Sequence, residues 1–97
     1  MILRFALAAA LAGMAATPAL ASGKMSCDVK PEVRQPQAAL VAALTKQGWT
    51  VRKAKLDGGC YEVYGTTPEG DRVEAYFDPA SFEKLLVSRR GEVLFKK

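Results

Sequence analysis

The chain has 97 residues, a formal net charge of +4 and no histidine. This length allows little more than one small domain, and the composition offers no histidine as a catalytic base or zinc ligand. The basic residues are dispersed along the chain and form no dense stripe, which predicts a solvated surface and no nucleic-acid binding.

The first 21 residues have the pattern of a secretory signal peptide. One basic residue, Arg4, precedes an apolar run that ends in the small-residue sequence Ala19-Leu20-Ala21. The apolar core is shorter than the roughly 20 residues that span a bilayer, which disfavours a membrane anchor. We therefore predict cleavage after Ala21, a periplasmic or secreted location without stable membrane insertion, and a mature chain of 97 − 21 = 76 residues.

Residues 22–34 are polar, contain Pro31 and show no periodicity, so they predict an irregular N-terminal arm. The chain has two cysteines, Cys27 and Cys60. In an oxidising compartment such a pair predicts one disulfide, here between the arm and the second strand. Closing this loop is worth roughly 3–4 kcal/mol. A catalytic thiol is disfavoured because there is neither a CxxC motif nor a histidine.

Residues 35–97 predict an α+β domain with one N-terminal helix packed on a three- or four-stranded antiparallel meander. The helix begins near Pro36 and ends before Gly48. From Trp49 onward, short β-type runs alternate with turn signals. The first strand, 50–56, breaks strict alternation, which predicts a bulge or a strong twist near Arg52-Lys53. The apolar stripe of the helix consists of Leu40, Val41 and Leu44.

The second hairpin can be predicted to its register. The sequence Thr67-Pro-Glu-Gly-Asp71 is typical of a three-residue loop with glycine in the left-handed position, so Thr67 should pair with Asp71. Counting back, we predict one face that packs on the helix and one that faces outward. The helix-facing residues are Tyr61, Val63, Val73, Ala75 and Phe77. The outward residues are Cys60, Glu62, Tyr64, Glu74, Tyr76 and Asp78.

After Asp78 two readings remain open. Residues 79–90 suit a capped amphipathic helix, or a turn at Pro79-Ala80 that leads into a strand over 84–88. Val93-Leu94-Phe95 can add a last short strand.

These motifs together resemble the PepSY domain family over about residues 35–87. The relevant segments are Gly48-Trp49, the GCYEVYG strand, the Pro68-Glu69-Gly70 turn and RVEAYFDP at 72–79. The resemblance implies a helix on an antiparallel sheet, and it favours a strand after the family's Asp-Pro-x-Thr-Gly turn, in which Ser81 and Phe82 here replace the Thr-Gly pair. It also implies a non-catalytic module that restrains or modulates peptidases.

The carboxylates that the register brings together are Glu62 and Glu74. They lie diagonally on a flat surface without a predicted pocket, so we expect no enzymatic activity. Without histidines or a calcium-loop spacing we also expect no metal site and no cofactor.

The outward face predicts a protein-binding surface formed by Glu62, Tyr64, Glu74 and Tyr76, because tyrosine is enriched at interfaces. Its partner would be a secreted or envelope protein, such as a peptidase. A plainer interpretation is that the tyrosine rings cover the sheet or lie beneath the arm. A different hypothesis is an envelope protein that contacts anionic membrane or cell-wall polymers through Arg52, Lys53 and Lys55.

Overall fold

The computed structural model describes residues 25–97, and the predicted signal peptide lies outside them. A short 3-10 helix at Pro31–Val33 precedes the helix α1, Gln37–Lys46. The strands that follow are β1 (Thr50–Asp57), β2 (Cys60–Thr66), β3 (Arg72–Phe77), β4 (Lys84–Arg89) and β5 (Glu92–Lys96). They form one antiparallel sheet in the order β1-β2-β3-β4-β5, so each strand pairs with its neighbours along the chain.

The α+β class is therefore confirmed, with two corrections. The sheet has five strands instead of three or four, because both β4 and β5 form. The helix lies mid-chain, after the arm and the 3-10 helix, and was wrongly expected to open the ordered structure.

The connection between β3 and β4 decides the open choice at residues 79–90 in favour of a strand. The Asp78 carboxylate accepts hydrogen bonds from the backbone N–H groups of Ala80 and Ser81 at 2.8 and 3.2 Å. Phe82 then adopts a left-handed conformation with φ 65°. This conformation ends any helix and costs about 1–2 kcal/mol for a residue other than glycine. The Phe82 side chain packs against the main core, which offsets part of that cost.

The predicted register of β2 and β3 is confirmed. Tyr64 pairs with Glu74 and Val63 with Ala75. The Thr67 N–H donates to the Asp71 carbonyl at 2.9 Å, which closes the predicted loop. The predicted bulge also forms, because the pairing of β1 with β2 shifts at Arg52.

The helix face of the sheet carries the main core. Leu40 and Leu44 of α1 are 1% and 3% exposed. The Trp49 ring meets the Phe77 ring edge to face, with centroids 5.9 Å apart. The sheet residues of this helix face are Tyr61, Val63, Val73, Ala75, Phe77 and Val87. Alternation along β2 and β3 and the stripe on α1 thus bury one continuous apolar layer.

The opposite side, which we call the arm face, is partly closed by the N-terminal arm. Its sheet residues are Cys60, Glu62, Tyr64, Glu74, Tyr76, Leu86 and Ser88. Cys27 of the arm is joined to Cys60 by the predicted disulfide, with the two Cα atoms 5.0 Å apart. The Cys27 N–H also donates to the Gly58 carbonyl at 2.8 Å.

Glycine is required at the turn between β1 and β2 because the arm passes very close to it. A Cβ atom on Gly58 would lie 2.5 Å from the Met25 carbonyl oxygen, and one on Gly59 would overlap the Cys27 carbonyl oxygen. Both glycines also have positive φ, as a two-residue hairpin loop requires. The Gly-Gly pair therefore serves both the hairpin and the seating of the arm.

Both edge strands are bulged. Arg52 is unpaired in β1, and Leu94 is skipped in β5, where Val87 pairs with Phe95 and Ser88 with Val93. Bulges on edge strands oppose pairing with a foreign strand. The faces of the sheet are therefore better candidates for binding than its edges.

Candidate functional site

The arm face has a closed half next to the disulfide. Tyr76 is 2% exposed and packs with Cys60 and Leu86 beneath the arm residues Met25 and Cys27. Glu62 is 3% exposed. The expectation that these two side chains lie open at the surface is therefore wrong, and the arm covering Tyr76 is the physical reason in its case.

Polar contacts satisfy these buried side chains. The Tyr76 hydroxyl donates to Asp57 Oδ2 at 3.1 Å. The Lys55 ammonium lies 3.7 Å from Glu62 Oε1, and Glu62 also accepts a hydrogen bond from Tyr64. Buried polar groups with partners of this kind stabilise a fold, whereas unpaired ones destabilise it. Glu62 and Tyr76 thus support the sheet instead of offering a contact surface.

The other half of the arm face is open. Tyr64 and Glu74 are half-buried and pair directly across β2 and β3. The bulge at Arg52 shifts β1 by one residue, so that Lys53 and not Arg52 stands opposite Tyr64. The ammonium groups of Lys53 and Lys55 consequently lie 5.6 and 5.9 Å from the centre of the Tyr64 ring, within the range of cation–π attraction.

The tyrosine and the basic residues that the sequence assigned to two different hypotheses therefore share one surface. We call this surface the Tyr64 patch. It consists of Arg52, Lys53, Lys55, Tyr64 and Glu74.

Burial raises the pKa of Tyr64 above its usual value of 10.0, and the nearby carboxylates of Glu62, Glu74 and Asp57 raise it further. Both causes disfavour the phenolate, the first by removing solvent and the second by like-charge repulsion. Tyr64 is therefore a neutral hydrogen-bonding group at physiological pH.

An arginine-lined depression of about 140 Å³ adjoins the Tyr64 patch. We call it the arginine pocket. Its walls include Arg52, Arg72, Arg89 and Arg90, together with Tyr64, Glu74 and Ser88. The sequence placed Arg52 in a basic surface but did not connect it with Arg72, Arg89 or Arg90. The pairing of Thr66 with Arg72 lies within the predicted register, next to the pair Thr67–Asp71, and is the signal that would have placed Arg72 there.

A second cavity, of about 320 Å³, lies on the helix side, with Trp49, Val87, Leu94 and Phe95 among its walls. The Lys84 ammonium sits 4.6 Å above the Phe95 ring at its rim. None of the predicted site residues lines it. The exposed apolar run Val93-Leu94-Phe95 is the sequence signal that points to it.

Chemically, the arm face is suited to binding. Glu62 is buried against Lys55, while Glu74 lies half-buried beside Tyr64, so the two carboxylates occupy different environments and share no cavity. Within residues 25–97 no group of three or more potential ligands is placed to hold a metal ion. In the same range no helix is long and apolar enough to cross a membrane.

A helix packed on an antiparallel meander, with an arm stapled to the opposite face, defines a small α+β module. A profile of the family described as "Peptidase propeptide and YPEB domain", PepSY_2, matches residues 4–86. The chain therefore belongs to the PepSY family, as the sequence motifs indicated. Neither curated proteins nor solved structures gave a match to this chain.

Proposed function

We propose that this chain is a non-catalytic binding module of the periplasm or the extracellular space, released by cleavage after Ala21. Its partner is a secreted or envelope protein, and specifically a peptidase or the pro-form of one, whose activity the module restrains. The observation that carries the proposal is the match to a peptidase-propeptide family over residues 4–86.

The Tyr64 patch is the contact surface in this proposal. Tyr64 presents a stiff aromatic ring that is part-exposed and already flanked by Lys53 and Lys55. Such a group loses little side-chain entropy on binding and offers both apolar area and a hydroxyl. The sequence placed Glu62 and Tyr76 in the same surface. In this proposal they are buried supports whose contacts hold β2 and β3 in position.

Capture from envelope extract tests the proposal. The oxidised chain is immobilised, and bound proteins are identified by mass spectrometry at low and at high salt. We expect a peptidase among the captured proteins at both salt concentrations, and slower cleavage of a protein substrate by the extract when the free chain is added. Replacing Tyr64 with alanine should weaken capture by roughly 2 kcal/mol, as expected for an aromatic hot spot.

Glu69→Ala is the matched surface control, because Glu69 is exposed in the loop between β2 and β3 and lies outside the Tyr64 patch. It should leave capture unchanged. Equal capture by the folded Tyr64→Ala variant and the wild type would remove this surface from consideration.

The competing function, contact with anionic envelope polymers, is favoured by the grouping of Arg52, Lys53 and Lys55 on one surface. It predicts a different salt dependence, because solvent-exposed charge contacts are screened at high ionic strength. Retention that disappears with salt, falls when these three residues are neutralised and ignores Tyr64 would establish this alternative in place of the first.

A further inference from the structure

The arginine pocket is a defined depression, and not only a basic part of the surface. Its arginines come from four separate places in the chain: the bulge of β1, the start of β3, the end of β4 and the β4–β5 turn. Arg90 reaches it from a left-handed turn position, with φ 51°. Four arginine residues thus line one depression of about 140 Å³.

The arginines of the pocket differ in whether they form ion pairs. Arg89 donates to Asp71 Oδ1 at 2.8 Å and lies 3.5 Å from Glu92 Oε1. Arg52, Arg72 and Arg90 form no ion pair with any residue in 25–97. The four arginines and Glu74 give the walls a formal charge of 4 − 1 = +3.

We infer that the arginine pocket binds a carboxylate of an acidic, extended peptide segment. A guanidinium fork matches a carboxylate with two parallel hydrogen bonds, and arginine holds this geometry better than lysine. A volume of about 140 Å³ has room for such a carboxylate group.

An extended peptide suits the surroundings of the pocket. Lys53 and Lys55 flank Tyr64 on the side of the patch that belongs to β1. Residues spaced along an extended segment can therefore reach the pocket and the two lysines at once. The peptide runs over Tyr64, whose neutral ring forms the floor between the two groups of cations.

Glu74 acts as a brake on this binding. Glu74 is one of the residues that line the pocket, and its negative charge opposes the approach of a carboxylate. The inference rests on the proposed function in that it names the chemistry of the segment a protein partner presents. The family match ends at residue 86, so two of the four pocket arginines, Arg89 and Arg90, lie outside it.

Nuclear magnetic resonance titration of the oxidised chain with hexaglutamate, blocked at both ends, tests the inference. Hexaglutamine is the uncharged control. We expect saturable shifts of the backbone amides of Arg72, Ser88 and Arg90 with hexaglutamate only. The double variant Arg72→Gln/Arg90→Gln should bind roughly tenfold more weakly, because it removes charge-assisted hydrogen bonds.

Two further variants separate a built pocket from general attraction. Glu74→Gln should bind hexaglutamate about two- to fivefold more tightly, since it removes a repelling charge. Lys46→Gln, at the exposed end of α1, loses one positive charge outside the pocket and should change the affinity by less than about twofold. Arg89 is left in place because its ion pairs join β4 to its neighbours.

Three outcomes would overturn the inference. The first is that hexaglutamate causes no shifts at the pocket. The second is that Lys46→Gln loses as much affinity as the single variant Arg72→Gln or the single variant Arg90→Gln. The third is that the chain binds phosphatidylglycerol vesicles through Arg72 and Arg90 but does not bind hexaglutamate. Tyr64-dependent capture of a peptidase without hexaglutamate binding would sink this inference alone. Hexaglutamate binding at the pocket without capture of any peptidase would uphold it for a different partner and sink the proposed function.

Discussion

The two faces of the sheet are closed by different means. On the helix face, apolar side chains from α1 and the strands bury one another, and Val63 and Ala75 are both fully buried. On the arm face, an irregular segment is held by one disulfide and by backbone contacts at the turn between β1 and β2. Only half of that second face is covered, and the open half carries the Tyr64 patch.

This difference shows how a small domain can bury one face and still keep part of the other available. A single ten-residue helix cannot cover both sides of a five-stranded sheet. A covalent link covers part of the second side with few residues, because it constrains the unfolded chain and needs little apolar area of its own. We therefore expect the helix face to fail when its packing is broken and the arm face to fail when its link is cut.

The largest effect should come from a charge on the helix face. Val63→Asp places a carboxylate at a fully buried position with no ion partner, and we expect the domain to unfold. Tyr64→Asp, one residue along the same strand, should remain folded because its side chain is half-buried beside Lys53 and Lys55. Circular dichroism and urea denaturation compare the two. Equal losses of stability would mean that the faces are not distinct in the way described.

The next effect should come from cutting the link on the arm face. Replacing Cys27 and Cys60 with serine should lower the free energy of unfolding by roughly 3–4 kcal/mol, as expected for a loop of this length. The amides of β3 that lie beneath the arm should then exchange faster with solvent than in the oxidised protein. If urea denaturation gives the same stability with and without the disulfide, the arm is held by something other than this bond.

A smaller pair of changes compares one hydroxyl from each face. The Tyr76 hydroxyl donates to the Asp57 carboxylate at 3.1 Å, and the Tyr61 hydroxyl donates to the Gln35 carbonyl at 2.6 Å. Bonds to charged groups contribute more, so Tyr76→Phe should cost about 2 kcal/mol and Tyr61→Phe about 1 kcal/mol. Denaturation of both variants at neutral pH measures the difference. A larger cost for Tyr61→Phe would contradict this ranking.

The smallest effect concerns the pH dependence of the open half. Because the pKa of Tyr64 is raised above 10.0, the folded state favours the neutral phenol more than the unfolded state does. This contribution to stability is complete below pH 10 and is lost as the pH rises through the higher pKa of the folded protein. Phenolate absorbance should show a late-titrating component that is missing in Tyr64→Phe.

The stability difference between wild type and Tyr64→Phe should accordingly shrink above pH 10. The variant keeps Lys53 and Lys55, so the comparison isolates the phenol from the titration of the lysines. An unchanged difference up to the end of the folded range would show that Tyr64 ionises as readily as a free tyrosine.

The helix face could be predicted from sequence because periodicity encodes it. Alternation in β2 and β3, together with the loop from Thr67 to Asp71, determined the register, and the stripe on α1 supplied the covering residues. The strand count was missed at the end of the chain. There Arg90-Gly91 forms a tight turn in which both residues have positive φ. Arginine seldom adopts positive φ, so the sequence did not indicate a turn at this position.

The arm face could be predicted only in part. The two cysteines predicted the disulfide, and the plainer interpretation already allowed the tyrosine rings to lie beneath the arm, where the structure has Tyr76. The binding hypothesis, in contrast, mistook position on the outward side of a strand for accessibility at Glu62 and Tyr76. The arginine pocket depends on a bulge at Arg52 and on a turn near Arg90, and such long-range convergence has no periodic signal in the chain.

The strand order β1-β2-β3-β4-β5 also has a consequence for how the domain reaches its native state. Every pairing closes a short loop, so the sheet can grow hairpin by hairpin at low entropic cost, and topologies of this kind fold quickly. The Cys27–Cys60 bond spans 33 residues and must wait for the arm to find the first hairpin. The disulfide should therefore form after the sheet has collapsed. Once formed, the bond should slow unfolding and leave the folding rate nearly unchanged.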